Sequence, residues 1–311
     1  MTIQQIKYVL AVAKYAHFET AAESCFVTQS TLSTMINKLE DELGIYIFNR
    51  KTKPVSITKE GEVLIDRMRI LFHEFESLEN TVQEMKGELV GELRIGIIPT
   101  ISPYLLPLFL KTFATRYPKV KMIVTETTTE NIQRELKARN LDVGILAISI
   151  DDKELEEKAL YEEPFFVFDC KSSSPPSMVS IEELDYSDLW FLEEGHCLRT
   201  QVRKICDLSN KESEKSINIE FKAGSIDSLM RFTKANKGVT ILPYLSGLEI
   251  SEDQKKHIVP FCSPVPVRTV GFAVHKHFVR KKLLAEMETV IKKVVLPQLP
   301  KVGEVEALAP I

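Results

Sequence analysis

Thr28-Gln29-Ser30-Thr31-Leu32-Ser33-Thr34-Met35-Ile36-Asn37-Lys38-Leu39-Glu40-Asp41-Glu42-Leu43-Gly44 reads as a helix with two unlike faces. Leu32, Ile36, Leu39 and Leu43 recur at helical spacing and make an apolar stripe, whereas Ser30, Ser33, Thr34 and Asn37 look the other way. Gly44 can end the helix by taking a positive φ. The second face is small, polar and uncharged at its N-terminal end, which suits close approach to a phosphate backbone and to base edges. Gln29, Ser30, Thr31, Ser33, Thr34, Asn37 and Lys38 are therefore the candidate DNA contacts. Upstream, Ile3, Ile6, Leu10 and Ala13 predict the buried face of a helix capped by Thr2, and a shorter helix over residues 20–24 follows Phe18. Downstream, Tyr46-Ile47-Phe48 and Val55-Ser56-Ile57 flank Asn49-Arg50-Lys51-Thr52-Lys53-Pro54. This predicts a two-stranded wing with a basic tip, whose Arg50, Lys51 and Lys53 would meet phosphates. The plainer alternative is a small helical core with a solvated charged turn.

Residues 58–86 read as one long helix, roughly 40 Å at 1.5 Å per residue. Its apolar positions Leu64, Met68, Leu71, Phe75, Leu78, Val82 and Met85 alternate four and three apart, the pattern of a heptad seam. Such a seam needs a partner helix, and the same helix of a second subunit would supply it. That arrangement is a homodimer with two recognition helices on two half-sites. Gly87 and Gly91 then flank a hinge over residues 87–91. Beyond it strands and helices alternate: strands at 93–98, 121–125 and 142–147, helices at 103–117 and 131–139, then a last strand at 269–274 and a helix at 281–295. The chain is expected to cross between two lobes near Ile148 and near Pro264.

A chain of 311 residues with 44% hydrophobic and 27% charged content has room for two or three cores. The net charge of −4 excludes a protein that coats nucleic acid over its whole surface, but not a small module with a basic edge. Neither a basic leader with an apolar core nor an apolar run of membrane-spanning length is present, so the expected location is the cytoplasm, with no membrane partner. In that reducing compartment five cysteines at irregular spacing do not read as a disulfide scaffold. Cys25 and Cys262 are expected to be buried and Cys170, before a Ser/Pro loop, exposed.

The stretch from Glu193 to Cys206 reads Glu-Glu-Gly-His-Cys-Leu-Arg-Thr-Gln-Val-Arg-Lys-Ile-Cys. Leu198, Val202 and Ile205 recur at helical spacing after Gly195, which places Cys197 in the first turn of a helix. The exposed amides of that turn, with His196, Arg199 and Arg203, favour thiolate over thiol. Cys206 lies nine positions on, about 13.5 Å along an unbroken helix, whereas a disulfide needs Cα atoms about 4.4–6.8 Å apart. The two thiols can join only if the helix unwinds. They make a poor staple and a good switch, or else are two unrelated buried thiols. A zinc site built from Cys197, Cys206 and His196 does not fit paired-ligand spacing, so no metal or other cofactor is expected. The polar segment 207–215 is expected to be flexible.

Several strings resemble the winged helix-turn-helix of LysR-type transcriptional regulators: Phe18-x-x-Ala21-Ala22, Gln29-x-Thr31-Leu32-Ser33-x-x-Ile36-x-x-Leu39-Glu40-x-x-Leu43-Gly44, Phe48-x-Arg50 and Thr58-x-x-Gly61. Ser30 departs from the proline that many members carry there. The resemblance implies an α/β chain: a DNA-binding domain at 1–58, a linker (dimerisation) helix at 59–86, then a two-lobed effector domain similar to periplasmic binding proteins. Lobe I would comprise 92–161 and 265–300, lobe II 162–264, and a tail 301–311. Further strings resemble the peroxide-sensing branch of the family: Leu93-Arg94-Ile95-Gly96-Ile97-Ile98-Pro99-Thr100, Pro103-Tyr104-Leu105-Leu106-Pro107, Gly195-His196-Cys197-Leu198-Arg199, Leu242-Pro243 and Arg268-Thr269-Val270-Gly271. That likeness implies a peroxidatic Cys197, a resolving Cys206, and a peroxide pocket completed by Thr100, Thr129, His196 and Arg268. It also implies promoter DNA, RNA polymerase, hydrogen peroxide and a disulfide reductant such as glutaredoxin or thioredoxin as partners, and a homotetramer as the assembly. Two other readings stay open: a regulator of the same architecture that binds a small organic effector between the lobes, and a thiol peroxidase. The latter would have no use for residues 1–60, so the expectation is a regulator rather than an enzyme.

Overall fold

The computed structural model describes residues 1–148, 152–184, 188–205, 221–300 and 307–308. The chain divides into two compact units, Met1–Glu88 with Ala138–Asn140 and Leu89–Lys137 with Leu141–Ile311.

In the first unit α1 spans Ile3–Tyr15, and Thr2 caps it through a reciprocal pair of bonds with Gln5. Its buried face is Gln5, Ile6, Tyr8, Val9 and Val12, while Ile3 is 37% exposed and Leu10 and Ala13 are half-buried. The expected face is thus rotated, because the Gln5 amide closes the cap and also donates to the Met35 carbonyl at 3.2 Å, fixing that side inward. Helix α2, Phe18–Ser24, starts two residues before the expected 20–24 because the His17 ring caps it at the Thr20 amide. Helix α3, Gln29–Leu43, is capped by Thr28 and ended by Gly44 at φ 66°, the left-handed region that glycine enters without strain. Leu32, Ile36 and Leu39 are fully buried and Leu43 half-buried. The wing pairs β1, Phe48–Asn49, with β2, Ser56–Ile57, antiparallel. Helix α4, Lys59–Met85, follows its Thr58 cap. Its first turn lies so close to the wing that a Cβ on Gly61 would sit 2.3 Å from the Ile47 carbonyl oxygen. Met68 of the seam is buried in this unit's core, whereas Leu71, Leu78, Val82 and Met85 are exposed within the single chain.

In the second unit β3 (Gly91–Ile97), β4 (Val120–Glu126) and β5 (Val143–Ala147) are parallel, connected through α5 (Ser102–Arg116) and α6 (Thr129–Lys137). A long strand β6, Leu155–Asp169, follows, then α7 (Cys197–Ile205), α8 (Ile226–Ala235), β7 (Val239–Pro243), a 3-10 turn at Tyr244–Gly247, α9 (Glu252–Lys255) and β8 (Ile258–Pro260). The chain closes with β9 (Val265–His275), α10 (Lys281–Val295) and β10 (Ala307–Leu308). Among the described residues the strand order is β4-β3-β5-β9-β6-β7, with β10 beside β9 and β8 beside β6.

The crossing expected near Ile148 is carried by β6 instead. From Leu155 to Pro164 this strand pairs antiparallel with β9, and from Phe165 to Asp169 with β7. Two apolar cores meet along it. One gathers Leu93, Phe109, Ile145, Tyr161, Phe272 and Met287, the other Phe166, Phe168, Trp190, Leu198, Val202 and Phe261. Strand β9 extends well beyond the expected 269–274 because its first residues serve this junction. Cys170, expected to be exposed, is buried, and burial pushes its thiol up to about 11, with Asp169 adding to the effect. Among the described residues no helix is long and apolar enough to cross a membrane. Cys206 and the segment 207–215 lie outside the described residues.

Candidate functional site

On α3 the side chains of Gln29, Ser30, Thr31, Thr34, Asn37 and Lys38 are exposed and Ser33 is half-buried. The Thr28 hydroxyl lies 3.0 Å from that of Ser30 and 2.9 Å from that of Thr31, which ties down the first turn. Glu40, on the inner margin of the stripe, takes the Ile47 and Phe48 amides on one oxygen at 2.7 and 3.1 Å. Its other oxygen takes Arg50 Nη2 at 2.8 Å, while Arg50 Nη1 donates to the Ser33 hydroxyl and the guanidinium lies 4.9 Å over the Phe18 ring. This carboxylate joins the wing to the recognition helix. Lys51 and Lys53 stand exposed at the wing tip.

In the second unit Cys197 is the first residue of α7, reached through Gly195 at φ 92°. It is half-buried and packs against the first apolar core, while Leu198, Val202 and Ile205 of the same helix belong to the second. The thiol therefore stands at the junction of the two lobes. The cations expected to assist it are differently disposed. Arg199 Nη1 donates to the Leu192 carbonyl at 2.9 Å and its guanidinium lies over Phe191. Arg203 is exposed in the last turn, about 9 Å further along the axis. The His196 ring is largely buried, with Nε2 3.7 Å from Glu193 Oε1.

Thr100, in the turn between β3 and α5, is buried. Its hydroxyl accepts from Arg268 Nη1 at 3.2 Å and its carbonyl from Nη2 at 3.1 Å. Arg268, 1% exposed, also gives Nε and Nη2 to Glu163 Oε2 at 2.9 and 2.8 Å. Glu163 Oε1 accepts the Leu245 amide at 2.8 Å. Thr100 and Arg268 are thus brought into contact, and among the described residues no hydrogen bond joins Cys197, His196 or Thr129 to them. The cap at the start of α6 is the neighbouring Thr128, whose hydroxyl takes the Asn131 amide. The Thr129 hydroxyl is buried without a hydrogen-bond partner, so its donor and acceptor capacity is open.

Sequence reasoning missed Glu163 and the tyrosines near it. Tyr161, on the same face of β6, has a buried hydroxyl without a partner; burial first, and Glu163 second, hold it well above the usual tyrosine range against the pull of Arg268. Tyr104 of α5 packs against both cores, and burial, then Asp227, push it up to about 12. Tyr161, Glu163 and Phe165, two apart and all buried, carried the available signal, an acidic residue at an inward position of a half-apolar strand.

Residues 3–62 match the family described as bacterial regulatory helix-turn-helix protein, lysR family, and residues 86–295 match the LysR substrate binding domain. The chain belongs to the LysR family. It is a DNA-binding regulator of transcription. This LysR chain is similar to the hydrogen peroxide-inducible genes activator of Haemophilus influenzae, 32% identical over 273 residues that cover 87% of this chain and 89% of that one. It is also similar to the DNA-binding transcriptional dual regulator OxyR of Escherichia coli K12, 33% identical over 276 residues covering 87% and 88%. Among solved structures, a full-length OxyR variant from Pseudomonas aeruginosa superposes with a TM-score of 0.73 at 28% identity, covering 95% of this chain and 99% of that one. The LysR fold expected from the sequence, a winged helix-turn-helix followed by an α/β effector domain, is the fold observed.

Proposed function

We propose that this LysR-family regulator senses hydrogen peroxide through a reversible disulfide between Cys197 and Cys206. The observation that carries the reading is the position of Cys197, at the start of α7, half-buried, where the cores of the two lobes meet. The similarity to peroxide-inducible activators over 87% of the chain supports it. In the reaction the Cys197 thiolate attacks the O–O bond, giving a sulfenic acid and hydroxide, which takes a proton to leave as water. The Cys206 thiol then displaces the second oxygen as water and closes the disulfide. Peroxide gains two electrons and the thiol pair loses them with two protons. Thr100, Thr129, His196 and Arg268 would line the peroxide pocket, and the unpartnered Thr129 hydroxyl supports a small polar occupant there.

Closing the bond would unwind α7, because Cys197 and Ile205 stand about 12 Å apart along it and the next Cα can lie only about 3.8 Å from that of Ile205, whereas a disulfide allows about 4.4–6.8 Å between Cα atoms. Loss of the helix would change how two effector units meet and so the spacing of paired recognition helices on promoter DNA. Gln29, Ser30, Thr31, Ser33, Thr34, Asn37 and Lys38 would face the major groove, with Lys51, Lys53 and the free side of Arg50 on phosphates. The exposed seam of α4 supports pairing with a second copy, within the tetramer that the family resemblance implies. The protein would act in the cytoplasm with RNA polymerase, reacting once per cycle until a glutaredoxin- or thioredoxin-like reductant resets it, which is a sensor's behaviour and not an enzyme's. The test is peptide mass spectrometry after one equivalent of peroxide. A loss of two hydrogens between Cys197 and Cys206, abolished by Cys197→Ser, is expected; an unchanged mass would overturn the reading in favour of an organic effector bound between the lobes.

A further inference from the structure

Arg268 has five N–H groups, and four of them are engaged: two by Glu163 Oε2, one by the Thr100 carbonyl and one by the Thr100 hydroxyl. Among the described residues one N–H on Nη1 remains without an acceptor. The Thr100 hydroxyl, accepting from Nη1, keeps its own proton to donate. Which way these two donors face is set by the plane of the guanidinium, and that plane is set by Glu163. Glu163 and Arg268 are direct cross-strand partners on β6 and β9, two residues before β6 first pairs with β7. The other carboxylate oxygen holds the Leu245 amide in the turn that follows β7. One fully buried side chain therefore joins both long strands, the turn after β7 and, through Arg268, the Thr100 turn.

We propose that Glu163 is a positioning residue for the peroxide reaction, aiming the last Arg268 N–H and the Thr100 hydroxyl at the peroxide oxygen that departs as hydroxide when the Cys197 sulfur takes the other. The inference rests on the peroxide reading above. Glu163 touches neither sulfur nor peroxide; it acts by orientation, and its loss affects a reaction that needs two aligned donors more than one that needs only an accessible sulfur. Neutralising it also leaves a buried guanidinium without its counter-charge, so stability alone cannot decide the matter.

The test uses the reduced full-length chain and measures two rates at Cys197, oxidation by hydrogen peroxide and alkylation by iodoacetamide, in wild type, Glu163→Gln and Glu163→Asp. The expected result is a peroxide rate at least about tenfold lower in Glu163→Gln with alkylation within about threefold of wild type, and Glu163→Asp in between. A Glu163→Gln protein that folds and keeps its peroxide rate within about twofold overturns the proposal, as does a parallel fall of both rates. If Glu163→Gln does not fold, Glu163→Asp decides by the same two rates. A wild-type Cys197 that reacts with peroxide no faster than a free thiol overturns the sensor reading itself, whatever Glu163 does.

Discussion

Glu40 in the DNA-binding unit and Glu163 in the effector unit each give one carboxylate oxygen to backbone amides and the other to an arginine. Both carboxylates are buried, but the partners differ. The Arg50 side chain is 34% exposed, and that of Arg268 is 1% exposed. Near the surface, water and salt weaken the pair, and the arginine keeps a side free for an external phosphate. In the interior each charge is shut off from water and held by further bonds, Arg268 to Thr100 and Glu163 to the Leu245 amide, so the arrangement stays fixed. The same motif thus fastens an element that must present its arginine and locks one that must hold its arginine still.

The widest separation between the two is expected from removing each arginine. Arg268→Met leaves Glu163 as an uncompensated buried carboxylate and should lower unfolding free energy by about 3–5 kcal/mol in denaturant titration. Arg50→Met leaves Glu40 with two amide donors and solvent at hand, and should lower it by about 1–2 kcal/mol. Equal losses would break the comparison. At the small end, Lys51→Ala or Lys53→Ala should leave stability within about 0.5 kcal/mol. Each should reduce the slope of log binding constant against log salt by about 1, equally on specific and non-specific DNA. An unchanged slope would remove the wing tip from the phosphate contacts and leave Arg50 as the basic residue of the wing to examine next.

The elements legible in the sequence are those whose partners are close in the chain. The stripe Leu32, Ile36 and Leu39, the stop at Gly44, the start of a helix at Cys197 and the whole of α10 follow from periodicity and capping, which act within a few residues. Strand β6 was not legible because it leaves one sheet for another half-way along. Its exposed run Glu156, Glu157 and Lys158 gives way to the buried run Phe165, Phe166 and Val167, so no single period describes it. The face of α1 departs from its local periodicity for a related reason: Gln5 is drawn inward by the Met35 carbonyl, 30 residues away.

By itself the sequence determined the recognition helix with its polar face, the long amphipathic helix after it, and a cysteine at the start of a third. Those features depend on rise, turn angle and capping chemistry, which neighbouring residues decide among themselves. Only the tertiary structure decided that Arg268 would meet a carboxylate 105 residues earlier and a threonine 168 residues earlier, and that Cys197 would stand where two cores join. A buried charge has to find its counter-charge somewhere in the folded chain, and where that partner lies is set by strand pairing across the sheet, which no local pattern encodes.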